Sequence, residues 1–284
     1  MLNGRVITVY LIFVIVTAAI PYAVVHDWRV AAGGALIGII CWIIGAIWGD
    51  GILLKTLRAE PLNDAKHPEI AKLVKSLSAG PGLGHPQMWQ VNDLGAMVLT
   101  IGMNRKNSNI IFTTGYFTKL EDKVQTGLAI REVTSIREHL TSADTALAYL
   151  LWLILLPGRI VNTLAGKKYG EPSIPAMIVN ITPALIFGWP IGLLGSNKIL
   201  VNKVDASTLK NLENPDYLPY GLMKLQESIL SSPFDCDLAL SGCCIINPNN
   251  RDALQAMFKL HPATPKRIDR LRIRAKASRR VLNR

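Results

Sequence analysis

The chain has 284 residues, half of them hydrophobic, and 31 basic against 20 acidic side chains give it a formal net charge of +11. Its mean hydropathy is positive, which excludes a disordered tail or an ordinary soluble domain and is typical of a membrane protein. The positive charge indicates contact with anionic partners, such as a lipid surface or nucleic acid.

Two apolar runs near the N-terminus predict a transmembrane hairpin over residues 1–54. They cover residues 8–25 and 30–54, and each is near the roughly 20 residues that cross a bilayer core. Lys55 and Arg58 follow at once, so the positive-inside rule places both termini and the rest of the soluble chain in the cytoplasm. Glycines in the second run predict close helix contact: Gly33, Gly34, Gly38, Gly45 and Gly49.

Residues 55–144 have the composition of a first soluble part. An amphipathic helix is predicted from His67-Pro68, and it ends at a run of glycine and proline after residue 78. Three strands are then predicted at residues 85–91, 95–101 and 109–114, and a central helix at residues 127–139. The order is helix, small sheet, helix.

A second pair of apolar segments predicts a second hairpin over residues 145–195. The segments cover residues 145–156 and 174–194, and between them Pro157-Gly158-Arg159 leads into a polar loop through residues 166–170. Arg159 would have to snorkel to the interface. Lys167 and Lys168 suit an extracytoplasmic loop poorly, so re-entrant segments are the alternative to a hairpin.

Residues 196–284 form a predicted second soluble part with a helix at residues 219–230 and a basic C-terminal helix. From Lys266 onward nine basic residues face one acid, Asp269. On a membrane protein this tail marks the cytoplasmic side and contacts anionic lipid; nucleic-acid binding is the alternative.

The cysteines Cys41, Cys236, Cys243 and Cys244 form neither a CxxC pair nor a disulfide framework. The last three are interpreted as small buried residues in a reducing compartment, with a metal site as the alternative.

Several short segments occur in an order that resembles one known family. They are the N-terminal hairpin, His67-Pro68-Glu69, Gly95-Ala96-Met97, Phe112-Thr113-Thr114-Gly115, residues 131–135, and a motif with His261, Pro262, Thr264 and Arg267 before an arginine-rich helix. With these the chain resembles the HtpX-like integral-membrane zinc metalloproteases over essentially its whole length. The resemblance implies an α+β, multi-pass protein of the cell inner (plasma) membrane, with about four transmembrane helices and a zincin-like cytoplasmic domain of helices and a small sheet.

The zinc ligands that this family uses are missing from the sequence. An HExxH helix places two histidines four residues apart on one face, with a glutamate between them. Here the ligand positions carry Arg131 and Ser135, and only Glu132 is retained. If Asp205 matches the aspartate of the family, the third ligand position falls at Val201. The prediction is therefore a protease scaffold with no metal and no cofactor.

Glu132 and His139 were candidates for residual chemistry. Glu132 could act as a general base, but a structural role in a buried pair with Arg131 or Arg137 is the favoured interpretation. Such a guanidinium would supply the positive charge that the metal would have supplied. His139 is too far along the helix to replace a ligand and is interpreted as a helix-end or interface residue.

The resemblance also implies a substrate-binding strand edge at Gly95, Ala96 and Met97. In the family an asparagine stands where this chain has Gly95, so that subsite is altered. Backbone hydrogen bonding along an edge needs no zinc, and binding could therefore survive the loss of catalysis.

The leading interpretation is a membrane pseudoprotease that binds or regulates a membrane-protein partner without cleaving it, of unknown oligomeric state. In the simplest version of this interpretation the protein is a structural subunit whose former substrate groove has no function. The alternatives are an active membrane zinc metalloendopeptidase of protein quality control, with unrecognised ligands, and a membrane-tethered nucleic-acid binder. No nucleic-acid partner is expected under the leading interpretation.

Overall fold

A computed structural model describes residues 4–80, 82–165, 198–248 and 263–282, together with Pro175 and Val179. The protein is mostly helical, with one small sheet. The helices are α1 Gly4–Val25, α2 Trp28–Thr56, α3 Pro68–Ser78, α4 Thr114–Lys119, α5 Asp122–Arg137, α6 Leu140–Ile154, α7 Leu156–Leu164, α8 Lys198–Asn211, α9 Tyr217–Ser231 and α10 Thr264–Leu282, with a short 3-10 helix at Leu238–Cys243. The strands are β1 Glu60–Pro61, β2 Gln87–Val91, β3 Val98–Ile101 and β4 Asn109–Thr113.

Helices α1 and α2 form an antiparallel hairpin and are the two described helices that are each long and apolar enough to cross a membrane. They contain 22 and 29 residues, and much of their apolar surface is exposed, as the outer face of a membrane hairpin requires. Asp27 closes the turn between them by accepting a hydrogen bond from the Arg29 amide at 2.9 Å. The two predicted apolar helices are confirmed.

Four of the five glycines predicted to make close helix contacts do so. A Cβ at Gly34 would collide with the Thr17 backbone of α1, and one at Gly38 would lie 3.1 Å from the Val14 Cα. Gly45 and Gly49 instead make room for Tyr149 of α6. Gly33 faces nothing within 4 Å, so the prediction of close contact is wrong for that residue alone.

The sheet has the strand order β1-β2-β4-β3, with β2 parallel to β4 and β3 antiparallel to it. Each of the three predicted strands is present but shorter at one end. Strand β1 was not predicted, because two residues carry no periodicity; they pair with Gln90 and Trp89. The outer side of β3 is covered by the chain itself, since the Ile245 amide donates to the Val98 carbonyl at 3.2 Å.

The chain turns sharply after α5 because His139 adopts the left-handed backbone region, with φ of 60°. Helix α6 then packs against α1, α2, β3 and the 3-10 helix, and most of its side chains are buried. Helix α7 begins at Leu156 and includes Pro157, because proline is tolerated in the first turn of a helix. The predicted polar loop at residues 166–170 lies outside the described residues.

The second predicted hairpin is described only in its first half. Helices α6 and α7 meet at a bend of 46° and could form a third span only if taken together. Arg159 lies over the Trp152 ring at 5.1 Å and pairs with Asp237 at 2.8 Å. The domain boundary predicted between residues 144 and 145 falls inside α6, and nearly all of residues 174–194 lie outside the described residues.

Substituting alanine at two adjacent glycines tests the hairpin. Gly34→Ala should lower the apparent melting temperature of the detergent-purified chain, because its new methyl group collides with the α1 backbone. Gly33→Ala should leave the melting temperature unchanged or raise it, since alanine is favoured over glycine in a helix by up to about 1 kcal/mol. Equal effects of the two substitutions would contradict this packing.

Candidate functional site

Helix α5 crosses the interior of the protein and carries the retained glutamate. It packs against β3, α3, α6, α8 and α9, and every side chain from residue 127 to residue 136 is buried. Arg131 and Ser135 are four residues apart and therefore share one face of the helix. The sequence positions predicted to match zinc ligands on α5 thus lie in the core.

Arg131 is held between two carboxylates. Its Nη1 donates to Glu132 Oε1 at 2.6 Å, and its Nε lies 3.5 Å from Asp205 Oδ1 on α8. The side chains of Arg131, Glu132 and Asp205 are 5%, 0% and 2% exposed. The predicted pairing of Glu132 with Arg131 is present, whereas Arg137 donates to the Leu77 carbonyl instead.

A second arginine completes the cluster from the other end of the sequence. Arg267 on α10 binds Asp205 with both arms of its guanidinium, Nε to Oδ2 at 2.6 Å and Nη2 to Oδ1 at 2.8 Å. Its third group, Nη1, donates to the Ile245 carbonyl at 2.6 Å. Ile245 is the residue that covers β3, so Arg267 joins α8, α10 and the covered sheet edge.

We call four buried side chains the charge cluster: Arg131, Glu132, Asp205 and Arg267. Their charges cancel when both acids are ionised. Burial alone would raise the pKa of Asp205, but attraction and hydrogen bonds from Arg267, and then from Arg131, lower it below its usual value. Burial raises the pKa of Glu132, and Arg131 offsets this only in part. Asp205 is therefore the firmly ionised member.

One oxygen of Glu132, Oε2, has no hydrogen-bond partner of good geometry among the described residues. The Thr100 hydroxyl nevertheless lies close enough to lower the pKa of Glu132. Thr100 is already engaged by the Ser135 and Thr141 hydroxyls, so it does not complete a hydrogen bond to this oxygen. Glu132 is thus less completely compensated than Asp205.

The other two predicted ligand positions are occupied by groups without metal-binding capacity. The Ser135 hydroxyl lies 2.8 Å from the Thr141 hydroxyl and 3.2 Å from that of Thr100, in a closed triangle of hydroxyls. Val201 is 5% exposed and packs in a small apolar cluster with Leu140, Leu200 and Val204. Asp205 is one helical turn beyond Val201, on the same face of α8.

These residues do not fit a zinc ion. A guanidinium keeps its protons and repels a cation, a hydroxyl already hydrogen-bonded to its neighbours is a poor ligand, and valine offers no donor atom. Among the described residues there is no group of three His, Cys, Asp or Glu side chains placed to hold a metal.

The surroundings of His139 and the cysteines are explained by structural roles. His139 is half-buried at the break between α5 and α6, where burial and the nearby Arg105 lower its pKa. Cys243 and Cys244 are buried, and the Cys236 and Cys244 sulfurs lie 3.9 Å apart. The hydrogen bond with Cys244 and then burial raise the pKa of Cys236, so its thiol is not activated.

The segment predicted as a substrate edge precedes β3, and its backbone donors are engaged inside the chain. The amides of Gly95, Ala96 and Met97 donate to Asp93 Oδ1 at 2.6 Å, Ser228 Oγ at 3.1 Å and Thr113 Oγ1 at 2.9 Å. A Cβ at Gly95 would lie 2.8 Å from the Phe234 amide nitrogen. A substrate role for this edge stays a prediction.

Only part of the predicted C-terminal motif lies within the described residues. His261 and Pro262 lie outside them, Thr264 begins α10, and Arg267 enters the charge cluster. The Asp205–Arg267 pair was not predicted. The sequence did hold a signal for it: Asp205 lies on a helix beside the apolar Val201 and Val204, which indicates burial. A buried carboxylate needs a cationic partner.

Comparison with known proteins identifies relatives that match most of this chain, although no family model matches it. A protease HtpX homolog of Syntrophobacter fumaroxidans is 25% identical over 244 residues, covering 81% of this chain and 84% of the relative. A protease HtpX of Legionella pneumophila is 25% identical over 242 residues, with coverages of 80% and 83%. The chain is thus similar to proteins named protease HtpX over about four fifths of its length.

The similarity extends to other bacterial HtpX proteins and to one solved structure. A Burkholderia cenocepacia HtpX homolog is 22% identical over 242 residues, with coverages of 82% and 83%. The crystal structure of Ste24p from S. mikatae matches with a TM-score of 0.47 and 16% identity; the match covers 93% of this chain and 61% of that one. The chain thus spans less than two thirds of the Ste24p length.

Removing Arg267 tests whether the charge cluster stabilises the fold. Arg267→Ala should destabilise the protein by about 3–5 kcal/mol, because it leaves Asp205 buried with only the longer contact to Arg131. The measurement is thermal unfolding of the full chain in detergent. Lys266→Ala, which removes an exposed charge next in sequence, should change stability by less than about 0.5 kcal/mol. A mild effect of Arg267→Ala would contradict the assignment.

A paired substitution separates charge from packing at Arg131. Arg131→Ala should lower the melting temperature strongly, because Glu132 loses its hydrogen-bonded cation. Adding Glu132→Gln removes the unpaired charge and should restore part of the loss. If the double variant is less stable than Arg131→Ala, charge compensation is not the role of Arg131.

Proposed function

We propose that this chain is a membrane pseudoprotease of HtpX-like ancestry, which binds or regulates a membrane-protein partner without cleaving it. The observation that carries the proposal is the pairing of Arg131, a fixed cation, with Glu132 and Asp205, at the sequence position predicted to match a ligand histidine. Two arginines now supply positive charge to carboxylates that would otherwise be uncompensated. The scaffold thereby keeps its packing without a metal.

The proposal includes the arrangement in the membrane. The chain would cross the inner membrane about four times, with its sheet, charge cluster and both termini in the cytoplasm. Support comes from Lys55 at the end of α2 and from the basic helix α10, since cytoplasmic segments are enriched in Lys and Arg. The third and fourth spans would come from residues 145–195.

An active zinc metalloendopeptidase is the competing function. The names of the relatives, protease HtpX, favour it. Under that alternative, ligands would have to come from residues other than Arg131, Ser135 and Val201. Metal content distinguishes the two functions directly.

The decisive experiment compares zinc content in two proteins. The native chain, purified in detergent and equilibrated with zinc, should contain far less than one zinc per chain. The triple variant Arg131→His, Ser135→His, Val201→Glu should bind near-stoichiometric zinc if the scaffold is intact, because it restores a two-histidine, one-glutamate donor set. Near-stoichiometric zinc in the native chain would overturn the pseudoprotease proposal.

Reporter fusions test the proposed topology. Green fluorescent protein fused after Arg284 should fluoresce and alkaline phosphatase there should be inactive, because the C-terminus is cytoplasmic. Alkaline phosphatase inserted at Asp27, in the turn between α1 and α2, should be active. The reverse pattern at either site would contradict the orientation.

A further inference from the structure

Among the described residues, helices α8 and α10 share an exposed face that is strongly basic. The exposed cations of this face take no part in the charge cluster. Arg267, Ile268, Leu271 and Ala275 bury one side of α10. The rest of its described surface exposes five cations and one acid: Lys266, Asp269, Arg270, Arg272, Arg274 and Lys276. Within the described residues, neither Arg270 nor Arg274 forms an ion pair.

Two of these arginines lie directly on the first turns of α8. Arg270 Nη1 lies 3.4 Å from Asn202 Oδ1, and Arg274 Nη1 donates to the Asn202 carbonyl at 3.3 Å. Ile273, between them in sequence, is 69% exposed. Ile199, one turn before Asn202 and on the same face of α8, is 84% exposed. We call Ile199, Asn202, Arg270, Ile273 and Arg274 the α8–α10 surface.

We propose that the α8–α10 surface binds the anionic headgroups of the membrane, with Ile199 and Ile273 inserted at the interface. Arg270 and Arg274 would bind phosphate oxygens, for which guanidinium groups have matching geometry. Exposed apolar side chains beside unpaired cations suit a lipid interface, which offers negative charge and an apolar layer together.

The position of α8 in the sequence places this surface at a membrane. The proposal rests on the topology given under Proposed function, in which residues 174–194 form the last span. Ile199 follows residue 194 by five positions, and five residues of chain reach at most about 18 Å. The first turn of α8 and the arginines in contact with it therefore lie at the membrane surface.

A nucleic acid fits this surface less well. Single-stranded nucleic acids are bound by basic grooves with aromatic side chains on which bases stack. The α8–α10 surface carries two isoleucines and an asparagine, and no aromatic residue. Lipid is therefore the partner to which the proposal commits.

Hydrogen exchange of the full chain in nanodiscs tests the proposal. In phosphatidylcholine containing phosphatidylglycerol, amides of residues 268–276 should exchange roughly 25-fold more slowly than in phosphatidylcholine alone, because each of the two arginines contributes about a factor of five at an anionic surface. The protection should diminish at high salt, which screens exposed charges. Equal exchange in the two lipids would overturn the proposal.

A charge-matched pair of variants assigns the effect to this surface. Arg270→Gln with Arg274→Gln should abolish the lipid-dependent protection. Lys66→Gln with Lys72→Gln, which removes two exposed charges near and on α3, should retain it. If the arginine variant fails to fold, Ile273→Ser provides a second test and should weaken the protection. The assignment to the α8–α10 surface is refuted if the lipid-dependent protection is unchanged in the double arginine variant or, where that variant does not fold, in Ile273→Ser.

Two further outcomes separate this proposal from others. If single-stranded RNA protects residues 268–276 in phosphatidylcholine and phosphatidylglycerol does not, the surface binds nucleic acid and the lipid proposal fails. Zinc content is measured on the same preparation. Stoichiometric zinc together with phosphatidylglycerol-dependent protection would overturn the pseudoprotease proposal and leave the lipid surface standing.

Discussion

The structure depends on the bidentate pair between Asp205 and Arg267, which are 62 positions apart in the sequence. Both side chains are 2% exposed, so each would be strongly destabilising without the other. Through Asp205 the pair reaches Arg131 on α5, and through the Ile245 carbonyl it holds the segment over β3. One ionic contact therefore fixes α5, α8, α10 and the sheet edge relative to one another.

This pair also explains the two faces of α10. Arg267 and its apolar neighbours anchor one side of the helix in the core, which leaves the remaining cations free to face outward. A helix with so many like charges gains little from its own propensity, because the charges repel one another. Burial of Arg267 and an anionic surface on the other side would stabilise it from both directions.

Local sequence patterns predict much of the fold, whereas long-range pairing decides the site. Apolar length predicted α1 and α2, and helical periodicity predicted α3, because both signals lie within one segment. Gly33 and Gly34 could not be distinguished from composition, since only helix packing determines which one faces α1. The pairing of Glu132 with Arg131 was predictable because a buried carboxylate needs a cation and the same helix carries one. The contact with Arg267 was not, because no local pattern indicates which distant cation reaches a buried carboxylate.

The most direct test of the charge cluster is an experimental structure of the native chain from crystals soaked in zinc, with anomalous data collected at the zinc absorption edge. The account predicts an ordered Arg131 guanidinium between Glu132 and Asp205, and no anomalous peak beside Glu132, Ser135 or Val201. An anomalous peak within about 2.3 Å of a side-chain donor at this position, with Arg131 displaced, would contradict it.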